Sequence, residues 1–243
     1  MRRRTAARAH PKMEITWWGH SAFSIRTPGG RVVLVDPWLG NPRAPEGAAD
    51  IAPVHLILVT HGHADHVGDT VAIARRTGAR VVAIHEVSLY LQSAGLPNVT
   101  GMNKGGTLEA EDVAITMVDA RHSGEIDAGG KLLPGGEPAG FVIRLRDGRS
   151  VYHAGDTSLF GDMRLIARLY TPTVAMLPIG DLYTMGPREA AEACTMLQPR
   201  HIIGMHYGTF PALTGTPDAL RARLPARLRS RVRELSPGIP VLL

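Results

Sequence analysis

His61-Gly62-His63-Ala64-Asp65-His66 concentrates three imidazoles and a carboxylate in six residues. His61 and His63 are two apart, so on an extended segment both rings project to one side. Asp65 and His66 follow at once, and Val67 to Ala74 then reads as helical. Before the motif, His55-Leu56-Ile57-Leu58-Val59-Thr60 is a short apolar run of the kind a buried strand shows. Strand, ligand-rich turn and helix in that order hold several donors rigidly at a sheet edge. Imidazole together with carboxylate suits zinc and its first-row neighbours. The bland alternative is a polar turn whose histidines cap the helix, and the density of the motif argues against it. The stretch reads as a metal site.

A chain of 243 residues can bury a substantial core, as one large domain or two small ones. No apolar stretch approaches the length of a membrane span. The single cysteine, Cys194, excludes an intrachain disulfide and any multi-cysteine zinc site, so a metal must be held by His and Asp. Its setting in Ala190 to Leu197 reads as helix packing rather than a reactive thiol. A reducing compartment is permitted, and a cytoplasmic location is the expectation.

The net charge of +5 traces to Arg2, Arg3, Arg4, Arg8 and Lys12, which leave 22 basic residues against 22 acidic ones in the rest. A second cluster, Arg221, Arg223, Arg227, Arg229, Arg231 and Arg233, reads as a solvated face, which argues against a nucleic-acid partner. The first dozen residues lack the apolar core of a secretory signal. Residues 1–12 are expected to be a disordered basic tail, or to precede a true start at Met13, with a transit peptide the weaker reading. Residues 13–243 are expected to form one domain, and a homo-oligomer is compatible with the sequence.

Strand-like segments come first, at Met13 to Trp18, Ala22 to Thr27 and Arg31 to Val35. After the histidine motif come a strand at Ala79 to Ile84, a short helix at Ser88 to Ala94 and a strand at Val113 to Val118. In the second half, Phe141 to Leu145 and Ser150 to His153 flank an Asp147-Gly148 turn of the hairpin type. Helices follow at Met163 to Tyr170 and Pro187 to Leu197, with strands at Val174 to Pro178 and His201 to Met205. Hairpins open each half and strand–helix alternation follows. That pattern predicts two sheets packed face to face with helices outside, an α/β sandwich.

Further ligand candidates stand where strands give out into loops. His122 follows Ile115 to Val118, Asp156 follows Val151 to His153, and His206 follows Ile202 to Met205. Residues at corresponding strand ends converge in space even when far apart in sequence.

The whole pattern resembles the metallo-β-lactamase fold superfamily, from Met13 to about Leu220. The motif residues are His61 to His66, His122, Asp156 in Gly-Asp-Thr, and His206. A narrower similarity, to metal-dependent hydrolases like the L-ascorbate-6-phosphate lactonases, rests on five stretches: Trp18 to Phe23, Tyr152 to Thr157, Leu177 to Asp181, Thr184 to Pro187 and Met205 to Pro211. The resemblance implies a four-layer αβ/βα sandwich and a pair of divalent ions, zinc by default or manganese. His61, His63 and His122 would hold one ion, with Asp65, His66 and His206 on the second and Asp156 bridging. Two groups of three ligands leave open positions, as a catalytic site requires. A carboxylate is also the one side chain among them that can bridge through two oxygens.

Around these, Asp36 matches the superfamily's buried aspartate that orients the histidine loop. His20 is placed near the metals, to touch substrate, donate a proton or serve structurally. His153 reads as support or packing between layers. Asp181, Tyr183 and Met185, in a loop before a helix, and Tyr207 beside His206 are candidates for pocket or support. Gly124 to Gly136 is a flexible stretch that could act as a lid. His55 stands where relatives carry an acid.

The chemistry implied is hydrolysis of a small ester or lactone by a hydroxide shared between the ions, with Asp65 also orienting the nucleophile. A phosphodiester of a nucleotide, nucleic acid or phospholipid headgroup is the alternative substrate. The non-enzyme alternative is a metal-dependent sensor or scaffold, which the retention of every ligand argues against. Lactam drugs are disfavoured as substrates. An iron redox role would want an accompanying flavin or electron-transfer domain.

Overall fold

Short β-branched and leucine runs bounded by Gly, Pro and Asp set the strands. The computed structural model describes residues 12–243, so the expected tail over residues 1–12 lies, Lys12 apart, outside the described residues. Strands β1 (Glu14–Trp17), β2 (Phe23–Arg26) and β3 (Val32–Val35) form an antiparallel meander, onto which β4 (Leu56–Val59), β5 (Arg80–Ile84) and β6 (Val99–Met102) add in parallel. Helices α1 (Ala64–Val67), α2 (Thr70–Thr77) and α3 (His85–Ser93) make the crossovers.

The second half repeats the plan. β7 (Thr107–Ala110) and β8 (Val113–Asp119) pair antiparallel, and a two-stranded hairpin, β9 (Ile126–Asp127) with β10 (Leu132–Leu133), stands apart. β11 (Ala139–Leu145) and β12 (Ser150–His153) extend β8 as a meander. β13 (Val174–Pro178), β14 (His201–Met205) and β15 (Val232–Arg233) then add in parallel, connected by α4 (Met163–Tyr170), α5 (Pro187–Leu197), α6 (Pro217–Arg223) and α7 (Ala226–Arg229). Finally β16 (Val241–Leu242) returns to pair with β1.

β3, β4, β12 and β13 are buried at every position, which requires cover on both faces. The other sheet covers one face and helices the other, giving the α/β sandwich read from the sequence. Trp17, Phe23, Phe141 and Tyr152 are fully buried in that core. Truncating one such ring typically costs about 3–5 kcal/mol. No helix among the described residues is long and apolar enough to cross a membrane.

Several boundaries differ from expectation. The helix begins inside the histidine motif, at Ala64, and breaks at Gly68 before α2. Gly68 takes φ 44, and a Cβ there would lie 2.6 Å from the Trp38 Cα, so the chain must turn at that point. α3 starts three residues early, at His85. The Gly124–Gly136 stretch contains the β9–β10 hairpin and is pressed onto the motif: a Cβ on Gly62 would lie 2.6 Å from Ile126 Cγ1 and 2.8 Å from the Gly124 carbonyl. Its base is a fixed wall beside His61 and His63.

The C-terminal arginines are mostly tied to the fold. Arg223, Arg229 and Arg231 donate to backbone carbonyls, Arg233 donates to His201 Nδ1, and Arg221 pairs with Asp218. Cys194 is fully buried in α5.

Candidate metal centre

Each ligand-type side chain leaves a strand at its C-terminal end. Asp36 ends β3, His61 to His66 follow β4, His122 follows β8, Asp156 follows β12 and His206 follows β14. His20 comes from the β1–β2 connection. Both sheets thus deliver side chains to one edge of the sandwich, as strand-end sites in α/β folds do.

Three groups of donor atoms lie within 4.8 Å of one another: His61, His63 and His122; His20, Asp65, His66 and His206; and His61, His66 and Asp156. His61 Nε2 stands 3.0 Å from His63 Nδ1. Asp156 Oδ2 faces both sides of the cluster, 2.9 Å from His206 Nε2, 3.2 Å from His66 Nε2 and 3.7 Å from His122 Nε2. Asp65 Oδ2 lies 3.8 Å from both His66 Nε2 and His206 Nε2.

A buried carboxylate orients two of the imidazoles. Asp36 Oδ1 accepts from the Thr60 amide, and its Oδ2 accepts from the Thr60 hydroxyl and from His66 Nδ1, all at 2.8 Å. Because the Thr60 hydroxyl proton is committed to Asp36, His61 Nδ1 donates to Thr60 Oγ1 at 3.0 Å. His61 therefore presents a bare Nε2 lone pair to the centre, and the bond from His66 Nδ1 to Asp36 fixes that ring with Nε2 aimed at Asp156, the nitrogen a metal would take in place of its proton.

His20 is held differently. Its Nε2 donates to Asp65 Oδ2 at 3.0 Å, and its Nδ1 accepts from Thr209 Oγ1 at 2.9 Å. The nitrogen facing the cluster therefore carries a proton and is a donor, not a ligand lone pair.

The electrostatics follow the same division. Burial, joined by the neighbouring histidines, pushes His61 well below its ordinary value and lowers His63 and His122. These rings are neutral and ready to ligate. Burial would also depress His66, but Asp156, Asp36 and Asp65 overcome it and raise that ring instead. Burial opposes ionisation of Asp156 and Asp65, yet the surrounding imidazoles win and hold both carboxyls below the usual carboxylate range.

The donor set fits a divalent cation. His66 Nε2 and Asp156 Oδ1 are buried without hydrogen-bond partners among the described residues. Leaving such atoms unpaired costs roughly 1–3 kcal/mol each, and a cation serves both.

A family model described as a β-lactamase superfamily domain matches residues 31–207, which takes in the whole cluster except His20. The chain belongs to the metallo-β-lactamase superfamily. It is 50% identical over 230 residues to a UPF0173 metal-dependent hydrolase of Solibacter usitatus, covering 94% of this chain and 99% of the relative. A UPF0173 metal-dependent hydrolase of Methanosarcina mazei is 47% identical over 232 residues, with 95% and 99% covered. Among solved structures, Igni18, a metallo hydrolase from Ignicoccus hospitalis, aligns with a TM-score of 0.86 at 35% identity, over 96% of this chain and 98% of that one. The protein is a metal-dependent hydrolase of that family.

The remaining candidates in this hydrolase support the cluster to different degrees. His153 is fully buried between the sheets. Its Nε2 donates to the Ser21 carbonyl at 3.0 Å and its Nδ1 accepts from the Gly155 amide at 3.2 Å, which ties the His20 loop to the Asp156 turn. Tyr207 is buried and stacks on Trp17 at 5.2 Å, with the Arg43 guanidinium 5.1 Å from its ring. Adjacent to His206 in sequence, it packs its ring into the core. Met185 is also core, 2% exposed, so it cannot line a pocket, and its amide anchors the loop by donating to the Thr157 carbonyl at 3.1 Å. Asp181 shapes the turn, its Oδ1 accepting from the Leu182 amide at 2.8 Å. Leu182 and Tyr183 project from the tip of that turn, both more than half exposed. His55 Nδ1 accepts from the Val32 amide at 3.1 Å, a role in strand pairing rather than at the cluster.

Thr60, Thr209, Arg43 and Trp38 are structural partners of the site that the sequence does not announce. A groove of about 790 Å³ lies at the N-terminal ends of β12, β13 and β14, lined in part by Arg164, Arg168 and Arg200. It is at the far end of these strands from the ligand cluster.

Proposed function

We propose that this hydrolase works with two divalent ions, zinc or alternatively manganese, and opens a small ester or lactone. His61, His63 and His122 would hold one ion and Asp65, His66 and His206 the other, with the Asp156 carboxylate shared between the two groups. The observation that carries this reading is the position of Asp156 Oδ2, within 3.7 Å of imidazole nitrogens from both groups. Two carboxylates in the set keep manganese credible beside zinc. When bound, the ions supply Lewis acidity and lower the pKa of water to near 7.

The chain's own residues do the rest. Asp36 and Thr60 fix the rings of His61 and His66, so little reorganisation accompanies the reaction. Asp65 Oδ2 orients the attacking water and takes its proton. That proton passes from Asp65 to the leaving oxygen as the ester C–O bond breaks, while His20 Nε2, 3.0 Å away, donates to Asp65 Oδ2 and holds it in place. Thr209 keeps the His20 ring turned toward Asp65. No serine or cysteine nucleophile is needed, and Cys194 is buried away from the cluster.

The lactone reading draws on the similarity carried by Trp18 to Phe23 and by Met205 to Pro211, and a phosphorylated lactone is its specific form. The test is turnover of simple lactones against bis(p-nitrophenyl) phosphate by zinc- or manganese-loaded protein, with D156A as the blank. Lactone opening that disappears in D156A supports the proposal. Diester cleavage alone moves the substrate to phosphodiesters, and full activity in D156A ends the mechanism.

A further inference from the structure

Two aromatic rings stand against the His20 side of the cluster. Trp38 lies edge-on to His20 at 5.2 Å between ring centroids, Phe210 lies 6.0 Å from His20, and the two stack on each other at 5.9 Å and 27°. His20 is itself 4.1 Å from the His206 ring. One imidazole therefore separates this pair from the ligand set.

The pair is built rigidly but is not closed. The Trp38 carbonyl accepts from Asn41 Nδ2 at 2.7 Å and its amide donates to the Asp36 carbonyl at 2.8 Å. The Asp69 carboxylate holds the next two amides, Leu39 and Gly40. Phe210 sits at the tip of a loop pinned by the bonds from Gly208 to Leu213 and from Leu213 to Phe210, and by Thr209 on His20. Yet Phe210 is 41% exposed. Of the three indoles, Trp17 donates to the His20 carbonyl and Trp18 to Ser24 Oγ, whereas Trp38 Nε1 makes no hydrogen bond among the described residues. An aromatic pair serving only as packing buries its rings and satisfies its indole. Here Phe210 keeps part of its ring exposed, and Trp38 is only partly buried with its indole N–H unpartnered among the described residues, both against the His20 imidazole that borders the ligand set.

We propose that Trp38 and Phe210 form a recognition wall for a flat, unsaturated or aromatic group next to the scissile bond, with Trp38 Nε1 donating to an acceptor on that group. The inference deepens the hydrolytic reading of the cluster and rests on it. It assigns specificity to an aromatic face whose rings the catalytic chemistry does not use.

The test measures binding rather than turnover: calorimetric titration of the metal-loaded protein with phenylphosphonate and with methylphosphonate. Both offer the same anionic head to the centre, so their ratio reports the wall. The expected preference for the phenyl compound is about tenfold, the scale of one well-packed aromatic contact. F210A removes most of that preference while methylphosphonate affinity stays. W38F keeps a ring and tests the donor: it weakens a benzoyl-bearing phosphonate more than phenylphosphonate. Because Phe210 is exposed, and Trp38 is only partly buried and keeps an aromatic ring in W38F, the test does not depend on a variant that disrupts the core. Equal affinities in the wild type, no binding of phenylphosphonate, or a preference that survives F210A overturns the wall. A phenyl preference lost in F210A, in a protein that turns over no ester, keeps the wall and removes the catalytic reading; turnover with equal affinities does the reverse.

Discussion

The His206 amide donates to the His20 carbonyl at 3.1 Å, joining a loop of the first sheet to a strand end of the second at the ligand cluster. Both residues are left-handed, at φ 54 and φ 49, and Trp17 Nε1 donates to the same carbonyl at 2.9 Å. A non-glycine residue held there costs about 1–2 kcal/mol, so the surroundings must over-determine it. Asn tolerates that backbone better than Ala. His20→Asn is therefore expected to unfold in urea within about 1 kcal/mol of wild type, and His20→Ala to lose about 2–4 kcal/mol. Both lose the Nε2–H donor that positions the proton-carrying Asp65, and kcat falls about 10²-fold or more. Wild-type turnover in His20→Asn would confine the ring to a structural role.

Asp36 is a second over-determined residue, left-handed at φ 47 and fully buried. Its two oxygens accept from the Thr60 amide, the Thr60 hydroxyl and His66 Nδ1. In Asp36→Asn one oxygen remains to serve three donors, and an amide N–H replaces the other. The His66 tautomer is then unsupported, and that of His61 follows through Thr60. Metal affinity should fall about 10–100-fold, as for other groups that orient metal-binding histidines. Competition against a chromogenic chelator reads this directly, and unchanged affinity would refute the orienting role.

What could be read from the sequence is what is local. The strands Val174–Pro178 and His201–Met205 and the helices Met163–Tyr170 and Pro187–Leu197 depend on residues within a few positions, and they stand as read. β6 and β7 escaped because they are half-exposed edge strands, Val99–Met102 with a glycine inside and Thr107–Ala110 with polar alternation. Such strands exist by pairing with a neighbour, not by apolar content. Thr60, Thr209 and Trp38 escaped for a related reason. The Thr209 partner lies 189 residues away in His20, and Thr60 matters only because Asp36, 24 residues earlier, is folded beneath it.

His153 makes a prediction in pH. Burial lowers its pKa from the ordinary 6.5, and its two ring nitrogens are committed in the neutral form to Ser21 and Gly155. The folded protein therefore stays unprotonated there while the unfolded chain takes up a proton below pH 6.5. The stability held above that pH falls as pH drops through it, by up to about 1.4 kcal/mol per pH unit for this one proton. Other depressed histidines add to the slope, so the difference from His153→Gln is the useful quantity. Gln keeps the bond to Ser21 and cannot titrate. Urea unfolding of both proteins from about pH 7 to pH 5 should show the shallower slope in the variant. Equal slopes would mean that His153 is protonated in the fold.

Stoichiometry separates a pair of ions from one. His63 belongs to the group with His61 and His122 and has no place in the group with Asp65, His66 and His206. It is also partly exposed, so His63→Ala leaves the core intact. With two sites, wild type should carry two ions per chain by elemental analysis, His63→Ala close to one, and Asp156→Ala should bind both weakly because its carboxylate faces both groups. Metal binding also stabilises the fold, by about 2.7 kcal/mol at a hundredfold excess over Kd for a single site. The thermal midpoint of the chelated protein should therefore rise in two resolved steps as metal is added, and in one step for His63→Ala. A wild type that saturates at one ion, with no further loss in His63→Ala, would make the centre mononuclear and leave His63 a bystander.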